Sequence, residues 1–268
     1  MIGSIIGDIV GSIYEFDNIK TKDFEFFDRR MKPTDDSILT IATADWLLHG
    51  GDVASYYHHY ANSYPTPMGS YGPMFLAWVE RGNHGVLLPY GSCGNGSAMR
   101  VSPVGWFFDS EEKTLEAARL SAECTHDHPE GIKGAQATAL AIFLARHGEK
   151  PASIANRLEQ DFGYDLSLTV DEIRPRYSWQ GMDGVGNGGT CQGSVPQAIS
   201  CALQAIDFED AIRNAVSIGG DSDTIACIAG GIAQALFGVP NSFQDTALTL
   251  LPKALRDIVV EFTQQVGC

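Results

Sequence analysis

The chain has 268 residues, 44% of them hydrophobic and 19% charged, with 33 acidic side chains against 18 Lys and Arg and a formal net charge of −15. That composition excludes a disordered or collagen-like chain, and with no Pro/Ser/Gly linker or charge run to divide it, one domain over 1–268 is expected. The acidic balance excludes non-specific nucleic-acid binding and attraction to anionic membranes, both of which require clusters of Lys and Arg.

The six cysteines (Cys93, Cys124, Cys191, Cys201, Cys227 and Cys268) form no C-x-x-C pair, as expected in a reducing cytosol. The N-terminus has no basic region and carries Asp8 and Glu15 within its apolar stretch, so neither a signal peptide nor a membrane-spanning helix is expected. These features predict a soluble, cytoplasmic protein.

In chain order, residues 2–14 predict a buried helix, with Ile2, Ile5, Ile6, Ile9 and Ile13 at helical spacing. Gly3, Gly7 and Gly11 recur every four residues and predict a flat seam for a neighbouring helix. Asp8 and Glu15, seven residues apart, fall on one face, where a buried carboxylate needs hydrogen-bond partners or a metal. Residues 20–32 are polar and aromatic and read as a surface loop. Then P-T-D-D-S at 33–37 opens an apolar helix that runs through Leu48 and stops at Gly50-Gly51. Adjacent Asp35 and Asp36 repel one another, so the pair reads as a helix cap or as a cation site.

Two further helices are predicted over 52–62 and 71–81, joined by a proline- and glycine-rich loop. The stretch Y-G-S-C-G-N-G-S-A-M-R at 90–100 is a glycine-dense loop able to offer successive N–H groups to a diphosphate. It is neither a Walker loop nor a dinucleotide-binding fingerprint, because no Gly-Lys-Ser/Thr follows and no strand precedes it. Helices are predicted at 111–123, 129–147 and 151–161, with His126 at a helix entrance as a structural or a functional residue. Residues 181–190 hold five glycines in ten and form a gating loop or a tight turn.

Helical patterns follow over 195–206, 209–216, 224–237 and roughly 251–264. Strand alternation is nearly absent, so the fold class is all-α. The stretch S-I-G-G-D-S-D-T at 217–224 delivers Asp221, Asp223 and Thr224 into a run, 225–237, whose single polar residue is Gln234. Two carboxylates and a hydroxyl within four residues suit an oxygen-ligand metal such as Mg²⁺; the alternative is that the two Asp side chains cap the helix.

Three separated motifs, GDxxGxxxE at 7–15, TDDS at 34–37 and GGDSDT at 219–224, resemble in order the pattern of the ADP-ribosylglycohydrolase family. S-C-G-N-G-S-A-M-R, the T-H of 125–126 and G-N-G followed by S-V-P-Q-A-I extend the resemblance over nearly the whole chain. It implies an orthogonal helical bundle with a bimetal cleft, and an enzyme that hydrolyses the glycosidic bond at the anomeric carbon of ADP-ribose. The substrate it implies is ADP-ribose attached to a protein side chain or held in a small conjugate, and a monomer is expected.

The metal ligands implied are Glu15, Thr34, Asp35, Asp36, Asp221, Asp223 and Thr224, holding two Mg²⁺ ions or Mn²⁺ in their place. Asp36, with Asp35 or Glu15, would orient and deprotonate the attacking water. The diphosphate and distal ribose would bind Gly91, Ser92, Cys93, Gly94, Asn95, Gly96, Ser97 and Met99, with His126 near the phosphates and the 69–72 loop closing one wall. The 186–199 spacing looks like the branch acting on serine-linked and polymeric ADP-ribose. Cys93 and Gly189 depart from that branch, which places an adenine-stacking tyrosine and a bulkier apolar residue there, so the expectation is either a looser grip on adenine or one supplied by Tyr90 or Leu87.

Two other readings compete. An HD-type metal phosphohydrolase is prompted by His126-Asp127, but His58, His59, His84 and His128 show no spacing that would complete its ligand set. A non-catalytic ADP-ribose-binding or crystallin-like protein is the other, and so many acids held together without a metal would repel one another.

Overall fold

At the centre of the computed structural model lies a helix whose residues 222–234 are all buried. Residues 1–267 are described; Cys268, the last of the six cysteines, lies outside them. In chain order the helices are α1 (Ile2–Gly11), α2 (Asp35–His49), α3 (Val53–Ser63), α4 (Pro73–Asn83), α5 (Gly96–Met99), α6 (Ser102–Phe107), α7 (Glu111–Glu123) and α8 (Pro129–Arg146). They continue with α9 (Pro151–Phe162), α10 (Val170–Ile173), α11 (Cys191–Leu203), α12 (Phe208–Ser217), the central α13 (Ser222–Phe237), α14 (Asn241–Leu250) and α15 (Lys253–Val266). The fold is all-α, as expected, apart from a two-residue hairpin in which β1 (Tyr177–Ser178) pairs antiparallel with β2 (Gly181–Met182). No helix among the described residues is long and apolar enough to cross a membrane.

α13 packs against α1, α8, α11 and α12. The closest approach is to α1, and the glycine seam is its cause. A Cβ on Gly7 would lie 1.9 Å from the Ala226 carbonyl oxygen, one on Gly3 2.3 Å from that of Gly230, and one on Gly11 2.5 Å from the Asp223 Cα. Low numbers on α1 meet high numbers on α13, so the two run antiparallel, and the end of α1 reaches the start of α13. The polar Gln234 of α13 is spent on this contact, its Oε1 accepting from the Gly3 N–H at 2.9 Å.

Several boundaries differ from expectation. α1 stops at Gly11 rather than 14, where the Ser12 hydroxyl donates to the Ile9 carbonyl at 2.7 Å and the chain turns. α11 begins at Cys191 rather than Val195 and carries Pro196 inside it; the Cys191 N–H donates to the Cys93 carbonyl at 2.9 Å, so tertiary contact extends the helix past its proline. Short α5, α6 and α10, the hairpin and α14 carry too few residues or too little periodicity to be read from sequence.

Candidate metal centre and binding cleft

Three staples bring distant acidic residues together. The first is Asp8, fully buried on α1. Its Oδ1 accepts from the Thr34 hydroxyl at 2.6 Å, and its Oδ2 accepts from the Thr34 N–H at 3.0 Å, the Ser37 N–H at 3.1 Å and the Ser37 hydroxyl. These four donors fix the start of α2 against α1 and leave Oδ1, with a single hydrogen bond, able to face a cation. The second is Thr34, the N-cap of α2, whose Oγ1 accepts from the Asp36 N–H at 3.2 Å. The third is Asn18: its Nδ2 donates to the carbonyls of Tyr14 and Gly220 at 2.6 and 2.9 Å, and its Oδ1 accepts from the Gly220 N–H at 2.8 Å. It ties the turn bearing Glu15 to the turn bearing Asp221, where Gly219 and Gly220 take φ of 70° and 74° that only glycine adopts without strain.

The result is two carboxylate triads that share one member. Oxygens of Asp8, Asp36 and Asp223 lie within 4.8 Å of one another, as do those of Glu15, Asp221 and Asp223. Neither triad contains a histidine. The Thr224 hydroxyl stands beside the first, donating to Asp36 Oδ2 at 3.3 Å, and the Asp35 side chain lines the same cleft.

Burial raises every carboxylate of this group, and neighbouring charges add to the rise at Glu15, Asp35, Asp36 and Asp223. Burial, with the neighbouring charges of Asp8, Asp35 and Asp221, pushes Asp36 well above the usual carboxylate range. Burial and the charges of Asp221, Asp36, Glu15 and Asp8 do the same to Asp223. Burial, then Asp8, Asp221 and Glu15, raises Asp35. Glu15 is pushed up to about 8 by burial and the charges of Asp221 and Asp8. Burial raises Asp8 to about 6 against the opposing hydrogen bonds from Ser37 and Thr34, and it raises Asp221 against the bond from Asn95.

The donor set fits a hard divalent cation. Asp36 Oδ1 is buried without a hydrogen-bond partner, and the Glu15 carboxylate accepts no hydrogen bond, among the described residues. Gly69 leaves room for Glu15, since a Cβ there would lie 2.8 Å from Glu15 Oε2. All candidate ligands are oxygens, the preference of Mg²⁺ and Mn²⁺. The capping alternative is not what the geometry contains at Asp36 or Asp221: the side chain that caps α2 is that of Thr34, and Asp221, at the N-cap of α13, makes no side-chain cap bond, while Asp223 Oδ1 accepts from the Thr224 N–H at 2.9 Å.

The triads open into a cleft of about 720 Å³, a size ordinary for a small-molecule site. Its far wall is the glycine loop. The N–H groups of Gly91, Gly94 and Asn95 are committed to Asp127 Oδ1 at 2.6 Å, Ser92 Oγ at 3.0 Å and the Gly189 carbonyl at 3.1 Å. Those of Ser92, Cys93, Gly96 and Ser97 find no acceptor among the described residues and are the donors left for an anion. His126 sits behind this loop, 5% exposed, and burial and the Arg100 guanidinium hold it well below its ordinary pKa. Cleft and triads are joined by one side chain, because Asn95 Nδ2 donates to Asp221 Oδ2 at 2.8 Å.

Every residue expected to bind a metal or substrate lines or adjoins this cleft, including Met99, whose Sδ lies 4.0 Å from the Thr224 hydroxyl. Thr34 and Ser97 stand just behind the lining, each with its hydroxyl engaged. Of the two residues expected to grip adenine, Tyr90 lines the cleft and Leu87 does not, packing instead on the hydrophobic core. Sequence reasoning missed Phe16, Trp179 and Arg100. Trp179 follows β1 and donates from Nε1 to the Glu15 carbonyl at 3.0 Å, with Phe16 parallel to it at a centroid distance of 6.3 Å. The tryptophan in an otherwise irregular stretch was the available signal.

The ADP-ribosylglycohydrolase family model matches residues 1–264. The chain is 30% identical to ADP-ribosylhydrolase ARH3 of Homo sapiens, with 92% of this chain and 87% of that protein covered. It is 26% identical to ADP-ribosylarginine hydrolase Tri1 of Pseudomonas putida, over 89% of this chain and 70% of that one. A solved structure, an ADP-ribosylglycohydrolase-related protein complex, superposes with a TM-score of 0.69 at 21% identity, covering 99% of this chain and 97% of the other.

Proposed function

The chain belongs to the ADP-ribosylglycohydrolase family, and from that premise we propose that it hydrolyses, with two bound divalent cations, the bond between the anomeric carbon of ADP-ribose and a protein side chain or small conjugate. The observation that carries the reading is the bond from Asn95 to Asp221, which sets a loop with open N–H groups directly beside two oxygen-ligand triads. A substrate with a diphosphate at one end and a reacting ribose at the other matches that spacing of chemistry.

Hydrolysis at an anomeric carbon passes through an oxocarbenium-like state. Mg²⁺ held by Asp36, Asp223, Asp221 and Glu15, with the hydroxyls of Thr34 and Thr224, would supply a water of lowered pKa. Asp36 and Asp35, both at the cleft, would orient the attacking water and accept its proton. Ser92, Cys93, Gly96 and Ser97 bind the diphosphate through main-chain N–H groups, and Tyr90 and Trp179 offer aromatic faces to the adenine or to the conjugate. The 91–97 loop has no lysine, so the hydrogen bonds do the holding. Five reduced thiols among the described residues and the acidic surface charge support a cytoplasmic setting, with the protein acting as a monomer.

The 186–199 spacing favours a serine or polymer linkage, whereas a relative at 26% identity is named for the arginine linkage. The test is release of ADP-ribose from serine-, arginine- and cysteine-linked conjugates, polymer and acetylated ADP-ribose, with Mg²⁺, with Mn²⁺ and with chelator. The expected result is turnover on at least one of them that chelation abolishes. Turnover that survives exhaustive chelation removes the metal from the reading, and none on any substrate favours a non-catalytic ADP-ribose binder.

A further inference from the structure

Arg100 is fully buried yet makes no ion pair among the described residues. Its Nη2 donates to the Ser121 carbonyl and to the Thr125 hydroxyl, both at 2.7 Å, its face lies 4.0 Å from the Tyr57 ring centroid, and its Nε and Nη1 have no hydrogen-bond partner among the described residues. A buried guanidinium this poorly compensated is costly, and the cost calls for a use.

We infer that Arg100 and Thr125 are positioning residues that fix His126 as the Nε2–H tautomer, so that it presents a neutral N–H donor to the anion on the glycine loop. The inference rests on the ADP-ribose reading for the identity of that anion. Thr125 Oγ1 lies 2.7 Å from His126 Nδ1, a distance that allows either atom to donate. Arg100 narrows the choice by taking one of the hydroxyl's two lone pairs. The hydroxyl must also place its own proton, and Nδ1 at 2.7 Å is nearer than the Ala122 carbonyl at 3.5 Å. The shorter bond takes it, since 3.5 Å is at the limit of a hydrogen bond. Nδ1 is then an acceptor, and the ring proton sits on Nε2.

Nε2 makes no hydrogen bond among the described residues, and it faces the loop: Cβ atoms built on Gly96 and Gly94 would lie 3.2 and 3.5 Å from it. Glycine at both positions keeps that path open. Burial, and after it the same guanidinium that orders the bond chain, disfavour a positive charge on His126 and hold its pKa well below the ordinary value. The cleft receives a directed donor, with the cation held one residue behind it.

The test uses the full-length protein labelled with ¹⁵N, reading the imidazole nitrogens of His126 by NMR without ligand and ADP-ribose affinity by calorimetry. The parent should carry its proton on Nε2. Thr125→Val, close in shape, should lose the single tautomer and bind ADP-ribose about tenfold more weakly, the scale of one hydrogen bond to a charged group, while Thr125→Ser restores both. Arg100→Met should mix the tautomers if it folds, and Thr125→Val decides the matter if it does not. A parent protonated on Nδ1, or a Thr125→Val protein with unchanged tautomer and affinity, overturns the inference. A parent with the Nε2 proton that does not bind ADP-ribose supports the tautomer assignment and sinks the identity of the anion.

Discussion

Asn95 and Asp221, 126 residues apart in sequence, meet through a 2.8 Å bond from the Asn95 amide to the Asp221 carboxylate. The same amide nitrogen donates to the Ser194 hydroxyl at 3.1 Å, so both its protons are used and its orientation is fixed. The carboxylate is held for a cation by a residue of the loop that would hold the substrate. Asn95→Ala should therefore lower the affinity for Mg²⁺ or Mn²⁺ by about tenfold or more, the usual effect of removing a residue that orients a ligand. Calorimetric titration of metal into the chelator-stripped protein measures it, and an unchanged affinity refutes the coupling.

Charge removal at the triads should separate catalysis from stability. Asp36→Asn and Asp221→Asn keep the shape of the side chains and relieve repulsion among crowded acids. Neither side chain caps its helix, so no cap is lost. Each variant is expected to lose roughly a hundredfold or more in turnover, the scale of a lost metal-activated water, while its metal-free form melts no lower than the parent. A variant that melts lower yet turns over normally would contradict the assignment.

The raised carboxylates also set a pH dependence for the metal-free protein. Asp8 and Glu15 titrate near 3.8 and 4.5 when unperturbed and near 6 and 8 in the fold, so between about pH 4 and 8 the native state binds more protons than the unfolded state. Stability then falls as pH rises through that window. The melting temperature in chelator should drop from pH 5 to pH 8, and saturating Mg²⁺ should flatten the drop by taking the place of the protons. A melting temperature that rises over this range in chelator would contradict the raised values.

The seam between α1 and α13 is the scaffold of the site, and it leaves no room for a methyl group. Gly7→Ala would drive its Cβ to 1.9 Å from a backbone carbonyl, which cannot swing aside as a side chain could. A loss of about 3 kcal/mol, the upper end of overpacking, is expected in denaturant unfolding, together with weakened metal binding because Asp8 and Glu15 are carried by the displaced segment. Full stability in the alanine variant would mean that the helices separate at little cost.

What the sequence determined by itself was whatever lies within a few residues of its cause. Helical spacing marked the long elements, the four-residue recurrence of Gly3, Gly7 and Gly11 marked α1 as one half of a tight helix pair, and short motifs gathered the acids near Glu15, Asp36 and Asp223. Its local signals could not separate cap from ligand at Asp36 or Asp221, because both uses place Asp at a helix start; the answer depended on where Thr34 and Asn95 put their hydrogen bonds. Only the tertiary structure set Asp8 as the staple of α2 and put Trp179 on the wall of the same cleft as the glycine loop. It alone lined up Arg100, Thr125 and His126, whose order depends on how α5 and the residues after α7 meet. Those relationships join residues far apart in the chain through single hydrogen bonds, and a single bond between distant positions leaves no periodicity to read.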